Sequence, residues 1–475
     1  MSTDVIWTAD EAIHATGGHC DEQWVAQGVS IDSRSVEYGD LFIALEGPNQ
    51  DGHDYVAAAL KAGAAAAIVR RVPDGLDGGG PLLIVDDTQK ALEGLAVFAR
   101  GRVGARVCAV TGSVGKTGTK EALREALMRS GNTHVSVASY NNMWGVPLSL
   151  ARMRRDTRYA VFEIGMNHPG EITPLVKMVR PHVVIVTTVE PAHLEYFGSI
   201  EEIADAKAEI FSGLEAGGAA ILNHDNSQFA RLEKAALAVN AKVISFGAEA
   251  GADVQLERLA LHANCSCVSA KLIDQDATYK IGMAGRHWAI NSLAVLAAVQ
   301  ALGADVGLAT VALAGMHAPA GRGQKHRIEG PDGPFDLIDE SYNASPASMR
   351  AAISVLAAAS VSGQGRRIAV LGEMKELGAT AAQLHADLAV DLVAAKIDRI
   401  YCVGDDMAHL VQALPNNVNA VHVENAERAA SLVAAKVGPG DVVMVKGSLA
   451  SRMKLVVDAV LALQPSPQAA NLSLP

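Results

Sequence analysis

The sequence predicts an α/β protein of three domains built around a mainly parallel central sheet. Three observations predict it. The chain has 475 residues, enough for about three domains at ~150 residues each. Short β-branched and aliphatic runs alternate with helical patterns along most of it, as doubly wound layers require. The run 106–110 enters a glycine-rich turn, Thr111-Gly-Ser-Val-Gly-Lys-Thr117, and a helical pattern follows over 119–128.

The first predicted domain, 1–104, is a small α/β unit with a strand at 40–45, an Ala-rich helix at 55–62 and a strand at 66–70. A breaker-rich loop, 72–81, separates these from a strand at 82–85. The second domain, 105–321, takes strands at 107–110, 160–164, 183–188 and 219–222 with helical patterns between them. Its ligand therefore belongs at the C-terminal edge of the sheet. The third domain, 322–475, repeats the alternation at 368–371, 399–403, 420–423 and 442–445. It reads as a Rossmann-like layer sandwich ending in a loose polar tail over 464–475.

Composition excludes several classes of function. Hydrophobic residues make up 49% and charged residues 19%, as in an ordinary globular protein. The net charge of −12 and the lack of a basic block argue against nucleic acid or a membrane surface as partner. Residues 1–10 carry neither a basic nor an apolar leader pattern, and no apolar run reaches ~18 residues. A cytoplasmic chain without a membrane span is expected. Of the five cysteines only Cys265 and Cys267 lie close together, in an alternation that suits a strand with both thiols on one face. With no second pair nearby they make no zinc site, and reduced thiols are expected.

The glycine-rich turn carries the chemistry. Backbone N–H groups of Gly112, Ser113, Val114 and Gly115, with the dipole of the following helix, form an anion site. Lys116 sets a point charge on nucleotide phosphates, and the Thr117 hydroxyl suits Mg²⁺. Val110 stands where the longer phosphate-loop pattern has glycine, so this is the shorter form. We read an ATP site. Glu163 ends a predicted strand, either as a Mg²⁺ ligand beside that loop or as an ordinary strand-end carboxylate. His193 lies in the loop 190–195 and is either a plain loop histidine or a ligand. Lys207 falls in a helical stretch, 203–211, where a surface lysine is the ordinary expectation.

Five motifs occur in order: Thr111 to Thr117, Glu163-Ile-Gly-Met-Asn-His168, Ala192-His-Leu-Glu195, Ala206-Lys-Ala-Glu-Ile-Phe211 and Gly285-Arg-His-Trp-Ala-Ile-Asn291. Together they resemble the Mur ligase family, ATP-dependent amide-bond ligases of peptidoglycan precursor synthesis. The resemblance covers nearly the whole chain. Asp32-Ser-Arg34, the segment 39–45 and Asp51-Gly-His53 resemble the uridine-nucleotide domain of that family's third- and fourth-step enzymes. Tyr342-Asn-Ala-Ser-Pro346, the segment 371–378 and Val445-Lys-Gly-Ser448 resemble the branch that adds D-alanyl-D-alanine to UDP-N-acetylmuramoyl-tripeptide. The Asp-Asn-Pro-Arg motif of the diaminopimelate-adding branch is missing. A diaminopimelate- or lysine-adding ligase is the second reading. A small-molecule phosphate-loop kinase and a non-enzymatic nucleotide module are further alternatives.

The resemblance implies a site assembled from all three domains. Thr117 and Glu163 would hold one Mg²⁺, while His193 and a carbamylated Lys207 would hold a second. Asn291, Arg322, Asp339 and Tyr342 would contact the nucleotide. Ser33, Arg34, Asp51, Gly52 and His53 would read the UDP-sugar-tripeptide. Tyr342, Asn343, Lys446 and Ser448 would receive D-alanyl-D-alanine, with Asn141 and Asn142 as further substrate contacts. A monomer is expected. The chain departs from the family pattern at Gly118, where threonine is usual, at Glu373 and Ser345, and at Trp288 within the 285–291 motif.

Overall fold

A computed structural model describes residues 5–74, 76, 80–137, 139–191 and 194–464. The strands in chain order are β1 (Trp7–Thr8), β2 (Val25–Ala26), β3 (Gly28–Ser30), β4 (Asp40–Ile43), β5 (Ala66–Val69) and β6 (Leu82–Ile84). There follow β7 (Arg106–Thr111), β8 (Thr133–Val135), β9 (Tyr159–Glu163), β10 (Val183–Val186), β11 (Ala219–Asn223), β12 (Lys242–Gly247), β13 (Val254–Leu261), β14 (Ser266–Lys271) and β15 (Asp276–Ile281). The last are β16 (Gln324–Gly330), β17 (Gly333–Glu340), β18 (Arg367–Gly372), β19 (Arg399–Val403), β20 (Ala420–Val423) and β21 (Val442–Lys446).

They form three principal sheets. The N-terminal one runs β3-β4-β5-β6 and is wholly parallel. The central one has nine strands in the order β15-β14-β13-β12-β11-β10-β7-β9-β8. Its parallel part reads as near-continuous aliphatic sequence, Val183–Val186 for example, because both faces are covered. Helices Lys116–Met128 and Arg286–Ala301 pack on one face, and Ile172–Val179 and Ile200–Ala208 on the other. Of the antiparallel meander β13-β14-β15 at its edge, the sequence suggests a strand only around Cys265 and Cys267. Cys267 lies in β14, but Cys265 precedes the strand, so the expectation of a strand through both cysteines is corrected. The C-terminal sheet runs β16-β17-β21-β18-β19-β20, parallel except for the β16–β17 hairpin.

The strand order positions the site. β7 lies between β9 and β10, and the helices that follow β7 and β9 pack on opposite faces of the sheet. That is a topological switch point, which opens a crevice at the C-terminal strand ends. No helix among the described residues is long and apolar enough to cross a membrane.

Candidate active site

The phosphate loop is held open by its own glycines. Gly112 has φ 144, and a Cβ there would stand 2.0 Å from Thr187 Oγ1. Gly115, at φ 88, caps a helix that begins at once with Lys116 rather than at 119, as the sequence pattern had suggested. Its first-turn N–H groups lack intrahelical acceptors and point into the crevice. Ser113 is otherwise engaged. Its N–H donates to Thr188 O at 2.9 Å and its hydroxyl to Glu190 O at 3.0 Å, so it braces the loop after β10 instead of offering its amide to an anion. Lys116 folds back to donate to Gly112 O at 2.7 Å. Burial lowers the pKa of its ammonium, Glu163 raises it again, and Arg322 lowers it.

Parallel register sets Val110 of β7 opposite Glu163 of β9, which brings Glu163 to the phosphate loop. Glu163 is 1% exposed and accepts from the Thr117 hydroxyl at 2.9 Å and from Asn141 Nδ2 at 2.8 Å. Thr117 Oγ1 also lies 3.4 Å from Ser139 Oγ. A buried hydroxyl beside a buried carboxylate is a donor set that fits a hard divalent cation. Ser139 was not singled out from the sequence; its place in the Ser139-Tyr-Asn-Asn142 loop was the available signal. Arg322, arriving from the C-terminal part of the chain, reaches Ser139 Oγ at 3.4 Å and lies 4.2 Å over the Tyr342 ring.

Lys207 corrects the surface expectation. It is 2% exposed on the helix Ile200–Ala208, and no ion pair or side-chain hydrogen bond joins it to a partner among the described residues. Burial and the nearby Lys116 charge both lower its ammonium pKa. His193 lies outside the described residues. Asn291 sits against the phosphate loop, its Nδ2 2.7 Å from where a Cβ on Gly115 would be.

The C-terminal residues gather at the ends of β17 and β21. Asp339 is buried and accepts from Ser341 N and Oγ at 3.0 and 2.6 Å. Lys446 is also buried, its ammonium committed to Asn343 O at 2.9 Å and Glu340 Oε2 at 3.3 Å. It holds the exposed Asn343 segment in place. Ser448 Oγ accepts from Lys375 N at 2.9 Å, which ties the end of β21 to the loop after β18.

The N-terminal residues form a separate cluster at the C-terminal edge of their sheet. Asp32 grips Arg34 through Nε at 2.9 Å and the terminal nitrogen at 2.7 Å, and the arginine side chain is 88% exposed beside Ser33. His53 is buried with both ring nitrogens engaged: Nδ1 contacts Asp51 at 2.6 Å and Nε2 accepts from Arg70 N at 2.9 Å. It is a brace for the loop. Gly52 is needed because a Cβ would lie 2.7 Å from Leu45 backbone. Arg71, which sequence reading passed over, pairs with Asp51 at 2.7 Å and adds a half-exposed cation to this edge. The segment 139–143 runs from Ser139 beside Thr117 to Met143 beside the helix Thr88–Gly101. Asn142 Oδ1 accepts from Gly145 N at 2.9 Å to turn the chain into the helix Gly145–Ala151, and Met143 O accepts from Gln89 Nε2 at 3.0 Å.

This geometry can be set against known proteins. Family profiles match three stretches: the Mur ligase family catalytic domain at 25–77, the Mur ligase middle domain at 110–299 and the Mur ligase glutamate ligase domain at 321–449. A UDP-N-acetylmuramoyl-tripeptide--D-alanyl-D-alanine ligase from Rickettsia prowazekii is 32% identical, over 96% of this chain and 99% of that one. The chain belongs to the Mur ligase family. Among solved Mur ligases, MurF from Acinetobacter baumannii superposes with a TM-score of 0.84 at 31% identity, covering 96% of this chain and 99% of the other. MurF ligase from Thermotoga maritima, solved with ADP, gives 0.76 at 27% identity over 92% and 97% of the two chains.

Proposed function

We propose that this chain joins D-alanyl-D-alanine to UDP-N-acetylmuramoyl-tripeptide at the expense of ATP, releasing ADP and phosphate. The observation that carries the chemistry is the convergence of Lys116, Thr117, Glu163 and Arg322 at one crevice. The substrate assignment rests on full-length relatives that carry this activity in their names. The tripeptide carboxylate attacks the γ-phosphorus, ADP departs, and an acyl phosphate forms. The free amine of the dipeptide then attacks the acyl carbon, phosphate leaves, and the amine nitrogen gives up its proton.

Two anions must approach one another in the first step, so positive charge is what the site must supply. Lys116 and Arg322 bring it from two sides, and the first turn of the helix Lys116–Met128 adds its N–H groups. Thr117 and Glu163 would hold one Mg²⁺, and His193 with Lys207 a second; bound there, the metal would neutralise charge on the phosphates. Lys207 suits that role as a carbamate. The uncharged amine of a buried lysine adds CO₂ to give R–NH–COO⁻ and a proton, turning a side chain with no ion-pair or hydrogen-bond partner among the described residues into an oxygen ligand. Arg322 stacked on Tyr342 closes one side of the crevice and shields the acyl phosphate from water. In this reading the chain divides at 104 and 321, with the N-terminal unit reading the UDP-sugar and the C-terminal one the dipeptide. A cytoplasmic monomer completes it.

Purified protein should release phosphate only when UDP-tripeptide, D-alanyl-D-alanine and ATP are all present. Comparing tripeptides ending in diaminopimelate and in lysine identifies the natural substrate. Turnover of a UDP-dipeptide with either amino acid, and none with D-alanyl-D-alanine, would leave only the family assignment standing. A stable phosphorylated product would point instead to a kinase.

A further inference from the structure

Gly118 and Trp288 lie far apart in the chain, and the structure puts them in contact. A Cβ on Gly118 would stand 2.6 Å from Cη2 and 2.8 Å from Cζ3 of the Trp288 indole. At such distances a side chain at 118 requires the ring or the helix to shift. Gly118 lies in the first turn of the phosphate-loop helix, and Trp288 in the first turn of the helix Arg286–Ala301, with only 9% of its surface exposed. On that second helix, close to the ring, Asn291 is seated against Gly115. The indole edge therefore fills the room that a residue at 118 would take, and it spans the two helices whose first turns meet at the phosphate loop.

We propose that Trp288 is a positioning residue for ATP in this chain, acting through Gly118 and Asn291. It wedges the first turn of the phosphate-loop helix, so the N–H groups there and the Asn291 amide keep one fixed spacing. The two positions thus behave as a coupled unit. This rests on the ATP reading above, so the test includes nucleotide binding measured without turnover.

The test is a double-mutant cycle. Trp288→Ala should raise KM for ATP ~10-fold and leave KM for UDP-tripeptide and D-alanyl-D-alanine within ~2-fold, while Trp288→Phe, which keeps an aromatic edge, retains most of the affinity. Gly118→Thr alone should weaken ATP by a similar factor through collision with the ring. In the Trp288→Ala background the same threonine has room, and ATP affinity should return to within ~3-fold of the original. Calorimetric titration with ADP should follow the same pattern even if ligation were absent. Where Gly118→Thr does not fold, Gly118→Ala serves, since a single methyl already collides. The proposal is overturned if Trp288→Ala leaves ATP and ADP affinity unchanged. Effects that simply multiply in the double variant overturn it too, as does a loss confined to melting temperature.

Discussion

Replacing Glu163 by glutamine separates the charge at the centre of the site from its hydrogen bonds. The carboxylate is 1% exposed and takes the Thr117 hydroxyl at 2.9 Å and Asn141 Nδ2 at 2.8 Å. Glutamine has the same shape. Thr117 can still donate to its carbonyl oxygen, and Asn141 can turn its own amide to accept. With both contacts kept, the hydrogen bonds themselves should account for less than about 1 kcal/mol of any change in stability. The charge is lost. A unit pair at 4 Å is worth about 4 kcal/mol at an effective dielectric near 20, or about three powers of ten. Part of that acts on Lys116, whose ammonium Glu163 favours against burial and Arg322. The remainder acts on a bound divalent cation. Half-saturation by Mg²⁺ should therefore rise ~10²-fold, and kcat/KM at low Mg²⁺ should fall by ~10² to 10³. The assay is phosphate release across a Mg²⁺ titration, with thermal unfolding of the ligand-free protein as control. Glu163→Ala is the contrast: it removes the acceptor of both Thr117 and Asn141, leaving Thr117 only its long contact to Ser139, and should cost about 1–3 kcal/mol. A glutamine variant with the wild-type Mg²⁺ curve would refute the reasoning, as would activity lost only in step with melting temperature.

Lys207→Ala should lose most activity, and short-chain carboxylic acids added to the assay should restore part of it by supplying the missing oxygens; a fully active variant would return Lys207 to a packing role. Arg34→Ala should raise KM for the UDP-tripeptide and leave those for ATP and D-alanyl-D-alanine in place, because the side chain is 88% exposed and its loss costs the fold little; equal shifts in all three constants would contradict this. Acid should destabilise the chain through His134, whose ring nitrogen Nε2 bonds Ser149 O at 2.7 Å and whose pKa burial lowers from 6.5 to about 4. Between those values the unfolded chain binds a proton that the native chain refuses, so stability falls as pH drops, by up to about 3 kcal/mol. Urea midpoints measured from about pH 7 to about pH 4.5 should flatten in His134→Gln, and an unchanged slope would remove His134 from the account.

The phosphate loop was legible because its chemistry is local. Strand, glycine turn and helix follow one another directly in the chain, and the positive φ values at Gly112 and Gly115 are conformations that glycine adopts without strain. The alternation of aliphatic runs and helical patterns likewise announced parallel layers, since a strand covered on both faces must be apolar throughout. Other features needed the packed chain. Thr117 meets Glu163 through the register of β7 with β9, and Arg322 reaches Ser139 from beyond the central sheet. His53 reads as a substrate contact until one of its nitrogens is found bound to Asp51 in its own loop and the other to the backbone of Arg70 after β5. In a helical pattern Lys207 resembles any surface lysine; the side of its helix that faces the sheet is what buries it. Gly118 and Trp288 read as two unrelated irregularities until the helices cross. The division has a physical cause. Turn and helix-end chemistry is set by residues adjacent in the chain, whereas burial, register and helix contact depend on surfaces brought together from far apart, for which no short stretch of sequence holds the partner.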